Sequence, residues 1–194
     1  MKFYSFAMRV MHWSAAVIII VALTLGALLG YGVIDGRSDL GGVLYGLHIS
    51  LGVIAIVIMA VRLVVRQASE RPAVKGTVAA RRIAGSVHGV LYALAFAVPV
   101  LGYAMDLAYG GVPSVFGIAM PDFGWLAPAG TQHPAAETLY TLHSYGGHVL
   151  AFLILAHIAA ALWRTVRAAP GEVDGLRRMI GPASKTTGTA QSQP

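Results

Sequence analysis

Apolar residues run along the chain in four long blocks, roughly 11–31, 44–65, 83–107 and 138–163, interrupted only by isolated polar side chains. A lipid-spanning helix needs about 20 such residues in succession. Lipid offers backbone N–H and C=O groups no partners but one another, so the blocks predict four transmembrane helices. The connections differ in kind. "GVIDGRSDLGG" is short and turn-rich, and "RQASERPAVKGTVAARR" carries Pro72 among charges, as a solvated link does. The longest, "YGGVPSVFGIAMPDFGWLAPAGTQHPAAE", mixes Pro and Gly with Phe116, Phe123 and Trp125, a composition suited to a lid at the lipid headgroups. Beyond Ala168 the chain turns polar and low in complexity, and disorder is expected there. No tandem repeat of fixed period is evident. The expectation is one all-α domain over residues 1–168, a transmembrane four-helix bundle, followed by a cytoplasmic tail over 169–194.

Composition agrees with the pattern. The chain is 57% hydrophobic and 11% charged, with a mean hydropathy of +0.70, far from the balance of a soluble domain. The net charge of +6 reports topology and not a nucleic-acid partner. Thirteen of the fourteen basic residues flank one side of the four blocks, and Arg37 alone falls on the other. By the positive-inside rule both termini and the middle connection are cytoplasmic. Lys2 and Arg9 ahead of an apolar run resemble the start of a signal peptide. The run exceeds the usual stretch of about 7–15 residues and lacks an A-x-A site, so a retained first helix is expected. The absence of cysteine removes disulfides, thiolate metal sites and covalent CxxCH haem attachment.

Against this apolar background histidine carries the chemistry, because an imidazole inside a bilayer is costly unless used. His143 and His157 are fourteen residues apart, which on a helix is about 21 Å of rise and a return to within roughly 40° of the same face. They therefore look into one interior near opposite membrane surfaces. Alternating topology sets His12 of the first helix level with His157, and His48 of the second level with His143. Two facing imidazoles at each of two depths suit two bis-histidine b haems held without covalent bonds. His148, nine residues before His157, points about 180° away and stands outside the pairs, and His133 reads as a surface residue. Gly26, Arg62 and Gly102 fall fourteen residues after His12, His48 and His88. The glycines admit a flat ring close to the backbone, and Arg62 suits a haem propionate. Arg9 and Arg66 suit propionates too, although snorkelling accounts for them equally well. His88 stays open between replacing His12 as ligand, bonding a propionate and holding a quinone. No residue is assigned to catalysis. A haem-free transporter with a histidine relay is disfavoured, since the spans hold no acidic partner.

The strings "RVMHW", "LHISLGVIAIVIMAVRLVVR", "HGVLYALAFAVPVLGYAM", "FGIAMPDF", "LH" followed after fourteen residues by "HIAAAL", and "LRRMIG" resemble the prokaryotic cytochrome b561 family over about residues 4–181. The resemblance implies a four-helix bundle holding two b haems in the bacterial inner membrane and exchanging electrons with ubiquinone. Its ligands would be His12, His48, His143 and His157. Some members oxidise superoxide, which implies a superoxide to ubiquinone oxidoreductase. One feature disfavours that donor. Superoxide is an anion, whereas the external segments set Arg37 against Asp35, Asp39, Asp106, Asp122 and Glu137. The alternative is a haem-bearing membrane subunit that relays electrons between a partner dehydrogenase or hydrogenase and the quinone pool.

Overall fold

The computed structural model describes residues 3–69, 77–121, 130–168 and 175–181. Four long helices cross the molecule: α1 (Phe6–Gly30), α2 (Asp39–Ala68), α3 (Val78–Ala108) and α4 (Ala136–Arg167). Each is long and apolar enough to span a membrane. They extend past the apolar blocks because hydroxyl caps set their starts: Ser5, Ser38 and Thr77 accept from the backbone N–H groups of Met8, Gly41 and Ala80. Such caps satisfy N–H groups that a helix leaves unpaired at its N-terminus. Gly32 and Gly110, with φ of 67° and 80°, turn the chain out of α1 and α3 in the left-handed conformation open to glycine.

The helices pack in chain order, α1 on α2, α2 on α3 and α3 on α4, whereas α1 and α4 meet only sparsely. The centre is a cluster of Ala15, Ile19, Ala55, Met59, Ala95, Val98 and Leu150. Small side chains dominate it, which is how helices approach closely where lipid removes the hydrophobic drive. Most large apolar side chains face outward instead, among them Val17, Phe152 and Leu155 at 60%, 69% and 67% exposure. Pro99 lies inside α3, and Gly52 of α2 leaves space beside its ring.

The connection after α3 holds a feature absent from the expectation. Ser114–Val115 (β1) pairs antiparallel with Ile118–Ala119 (β2), and the two residues between, Phe116 and Gly117, have φ of 49° and 84°. Two consecutive positive φ values mark the tight hairpin turn that matches strand twist. The hairpin docks on Ser50 of α2, whose Oγ accepts from Phe116 N–H at 2.9 Å and lies 3.3 Å from the Ser114 carbonyl. Phe116 is exposed at the tip, while Phe123 and Trp125 lie outside the described residues. So do Pro72 and most of the tail. Within the tail, Gly175–Ile180 form a short helix, α5, where disorder was expected. Arg9 donates to the Ile180 carbonyl at 2.9 Å and Trp13 to that of Met179 at 3.3 Å, so donors from α1 hold its last carbonyls.

Candidate functional site

The bundle brings imidazoles together at two depths. At the end away from most of the basic residues, the ring centres of His48 and His143 lie 6.0 Å apart with planes at 79°. Each is fixed by the neighbouring helix. His48 Nδ1–H donates to the Ala22 carbonyl of α1 at 2.9 Å, and His143 Nδ1–H donates to the Val98 carbonyl of α3 at 2.9 Å. That bond leaves Nε2 as the nitrogen with a free lone pair, the arrangement a ligating histidine adopts. Gly26 and Gly102 make the approach possible. A Cβ at Gly26 would stand 2.9 Å from His48 Cε1, and one at Gly102 only 2.7 Å from His143 Cε1. The glycines of the fourteen-residue register thus pack against the imidazoles. A cavity lined by Tyr45, His48, Gly52, Pro99, Gly102 and His143 opens beside the pair. Tyr45 donates at 2.7 Å to Asp106, the one acidic side chain buried among the described residues.

At the basic end, His12 and His157 lie 6.5 Å apart with planes at 70°. His88 stands 5.3 Å from His157, and its Nδ1–H donates to the Ala84 carbonyl of its own helix at 2.6 Å. His12 differs from its counterparts, because its Nδ1 accepts from Arg62 Nη2 at 2.7 Å. Arg62 and Arg66 both lie over the Tyr92 ring, at 4.8 and 4.7 Å, a cation–π seat that sequence patterning does not reveal. The Nε atoms of Arg9 and Arg62 are buried without an acceptor. Buried N–H groups lacking partners are rare enough to call for a ligand, and a carboxylate is the natural one for a guanidinium.

These distances test the fit of an iron porphyrin. Two metal–nitrogen bonds of about 2.0 Å, with about 1.2 Å from each nitrogen to its ring centre, put coaxial imidazoles about 6.4 Å apart. The pairs at 6.0 and 6.5 Å match, whereas His88 and His157 at 5.3 Å are too close. Among the described residues no three His, Cys, Asp or Glu gather as ligands for a bare ion, and a haem needs only two.

Two further features escaped the sequence reading. His148, excluded from the pairs, is bonded to Tyr31 across the α1–α4 seam at 2.6 Å. The two helix pairs also echo each other. "LYGLH" at 44–48 returns as "LYTLH" at 139–143, and His12 and Gly26 of α1 correspond to His88 and Gly102 of α3. The offsets are 95 residues for α2 and α4 but 76 for α1 and α3, so a search for one fixed period misses the echo. His133, expected at the surface, is half-buried. Its Nδ1 accepts from Ala135 N–H at the start of α4, 3.1 Å away.

No curated protein matches the chain. A family profile described as prokaryotic cytochrome b561 matches residues 4–182, nearly the whole of the sequence and all four spanning helices. With four apolar helices around paired imidazoles, the chain belongs to the prokaryotic cytochrome b561 family and is a multi-pass, haem-bearing electron-transfer protein of the membrane.

Proposed function

We propose that His48 with His143 and His12 with His157 hold two non-covalent b haems, and that the protein passes electrons from superoxide to ubiquinone. The observation that carries this reading is the pair of imidazole separations, 6.0 and 6.5 Å, at two depths joined by the fourteen-residue interval from His143 to His157. When bound, b haem supplies a one-electron iron couple. The chain supplies the rest. Ala22 and Val98 hold the Nδ1 protons of His48 and His143, which aims both Nε2 lone pairs inward. Arg9 and Arg62 offer buried N–H groups to propionates, with Arg66 beside them on Tyr92. Bonding to a propionate gives Arg62 a charged acceptor in place of His12. His88, its ring centre 5.3 Å from that of His157, would bond a propionate. With His12, His48, His143 and His157 all engaged in holding the haems, no imidazole of the two pairs would be left to bind substrate, and donor and acceptor would exchange electrons without binding iron. The basic excess at the His12–His157 end supports placing that end in the cytoplasm and the protein in the inner membrane.

A second reading rests on charge. Asp35, Asp39, Asp106 and Glu137 outweigh Arg37 at the opposite end, which repels superoxide and favours a subunit relaying electrons from a dehydrogenase or hydrogenase. The test is the holoprotein in detergent exposed to superoxide with and without a quinone analogue. The first reading predicts haem reduction by superoxide and reoxidation by quinone. Haems that ignore superoxide, together with co-purification of a dehydrogenase, would establish the second.

A further inference from the structure

α1 packs only sparsely against α4, and beyond the His12–His157 level a hydrogen bond joins the two helices. Tyr31, which caps the end of α1, and His148, in the first half of α4, are joined at 2.6 Å while both remain exposed. Ser144 O accepts from His148 Nδ1–H at 2.7 Å. Nε2 is therefore the acceptor and the Tyr31 hydroxyl the donor. His148 lies well inside a spanning helix, where an exposed imidazole is costly unless it serves a ligand or a partner. The ligand must be lipid-soluble and carry hydrogen-bonding oxygens. The pair is neutral, so it suits a carbonyl better than a phosphate.

We propose that Tyr31 and His148 form the head-group site for a quinone at the α1–α4 seam. This rests on the acceptor half of the function proposed above and names where it acts. Tyr31 turned toward the seam donates to a quinone carbonyl. Donating instead to Nε2 of His148, the neutral phenol keeps an oxygen lone pair that accepts from a quinol hydroxyl, so one pair serves both redox forms. His148 follows His143 by five residues, about 7.5 Å inward along α4, and Tyr31 follows Gly26 by five, about 7.5 Å outward along α1, so the two side chains reach toward each other across the His48–His143 level. Inward from His148 the same face of α4 carries Phe152 and Leu155, 69% and 67% exposed. That strip is a track for a prenyl tail. Reduction of one quinone takes two electrons, delivered singly, and two protons drawn from the nearer water layer through His148 and Tyr31. Two superoxide anions, one quinone and two protons give two dioxygen molecules and one quinol.

The experiment uses the haem-loaded protein in lipid vesicles, reduced chemically so that no donor is assumed, with decyl-ubiquinone as the oxidant. Tyr31→Phe and His148→Ala are expected to raise the quinone concentration for half-maximal haem reoxidation about tenfold, the loss of one hydrogen bond. Haem content and absorption spectrum should stay as in the parent, and a photoreactive quinone should label the segment around His148. Unchanged quinone dependence in both variants, with only thermal stability lowered, would reduce the pair to a staple between helices and overturn the site alone. A parent protein that quinone does not reoxidise would remove both the site and the acceptor reading.

Discussion

Gly26 and Gly102 illustrate how much one missing methyl group decides. Each lies against an imidazole so closely that a Cβ would fall within 2.9 and 2.7 Å of a ring atom, below any normal contact. Gly102→Ala is expected to displace His143 and cut the haem bound at that level by more than half, while Gly89→Ala, with open space around it, leaves haem content as it was. Pyridine haemochrome assay against protein concentration checks both. The fourteen residues between His143 and His157, with alternating topology, foretold that His48 would meet the first and His12 the second, because helix geometry converts spacing into depth. What spacing does not encode is the partner of each second nitrogen. Ala22 and Val98 contribute carbonyls, which any residue has, and Arg62 reaches His12 from another helix. His148 was placed outside the pairs by the same arithmetic, but the phenol of Tyr31 that meets it was not foreseeable. Its turn-rich neighbourhood, "GYG", reads only as a helix end.

The spanning helices were legible from their apolar blocks, and their true ends lay in the capping hydroxyls Ser38 and Thr77 outside those blocks. The β1–β2 hairpin was not legible, because "PSVFGIA" carries too short an alternation to declare two-residue strands. It forms because Ser50 offers its buried hydroxyl to Phe116 N–H, and non-helical backbone near lipid persists only when its polar groups are satisfied by protein. Ser50→Ala leaves that N–H without an acceptor, at a cost of about 1–3 kcal/mol. The expected result is a lower melting temperature in detergent and faster proteolysis between α3 and α4, with the haem spectrum retained. Thr77→Ala removes a cap worth about 1 kcal/mol and should lower the melting temperature without exposing the hairpin. The α5 helix was illegible for the opposite reason, since Arg9 and Trp13 from α1, far away in sequence, hold its end.

Across the molecule, the two helix pairs repeat one design: a histidine donates to a carbonyl four residues before a glycine on the adjoining helix. The basic end departs from it, with Arg62 standing where the echo of His157 would be. That departure puts a guanidinium among imidazoles and suits one end for propionates. The distribution of Lys and Arg predicts that reporters fused after Met1 and after Pro194 both report the cytoplasm, and that a reporter in the stretch around Arg37 reports the opposite side. These features support the proposed pair of haems, one toward each end of the bundle. The measurement that tests this most directly is haem per polypeptide in the purified parent, His143→Ala and His157→Ala proteins. Two haems in the parent, one in each variant and two in His148→Ala would bear out the proposed ligands. A parent with one haem or none, or the same haem content in all four proteins, would contradict them.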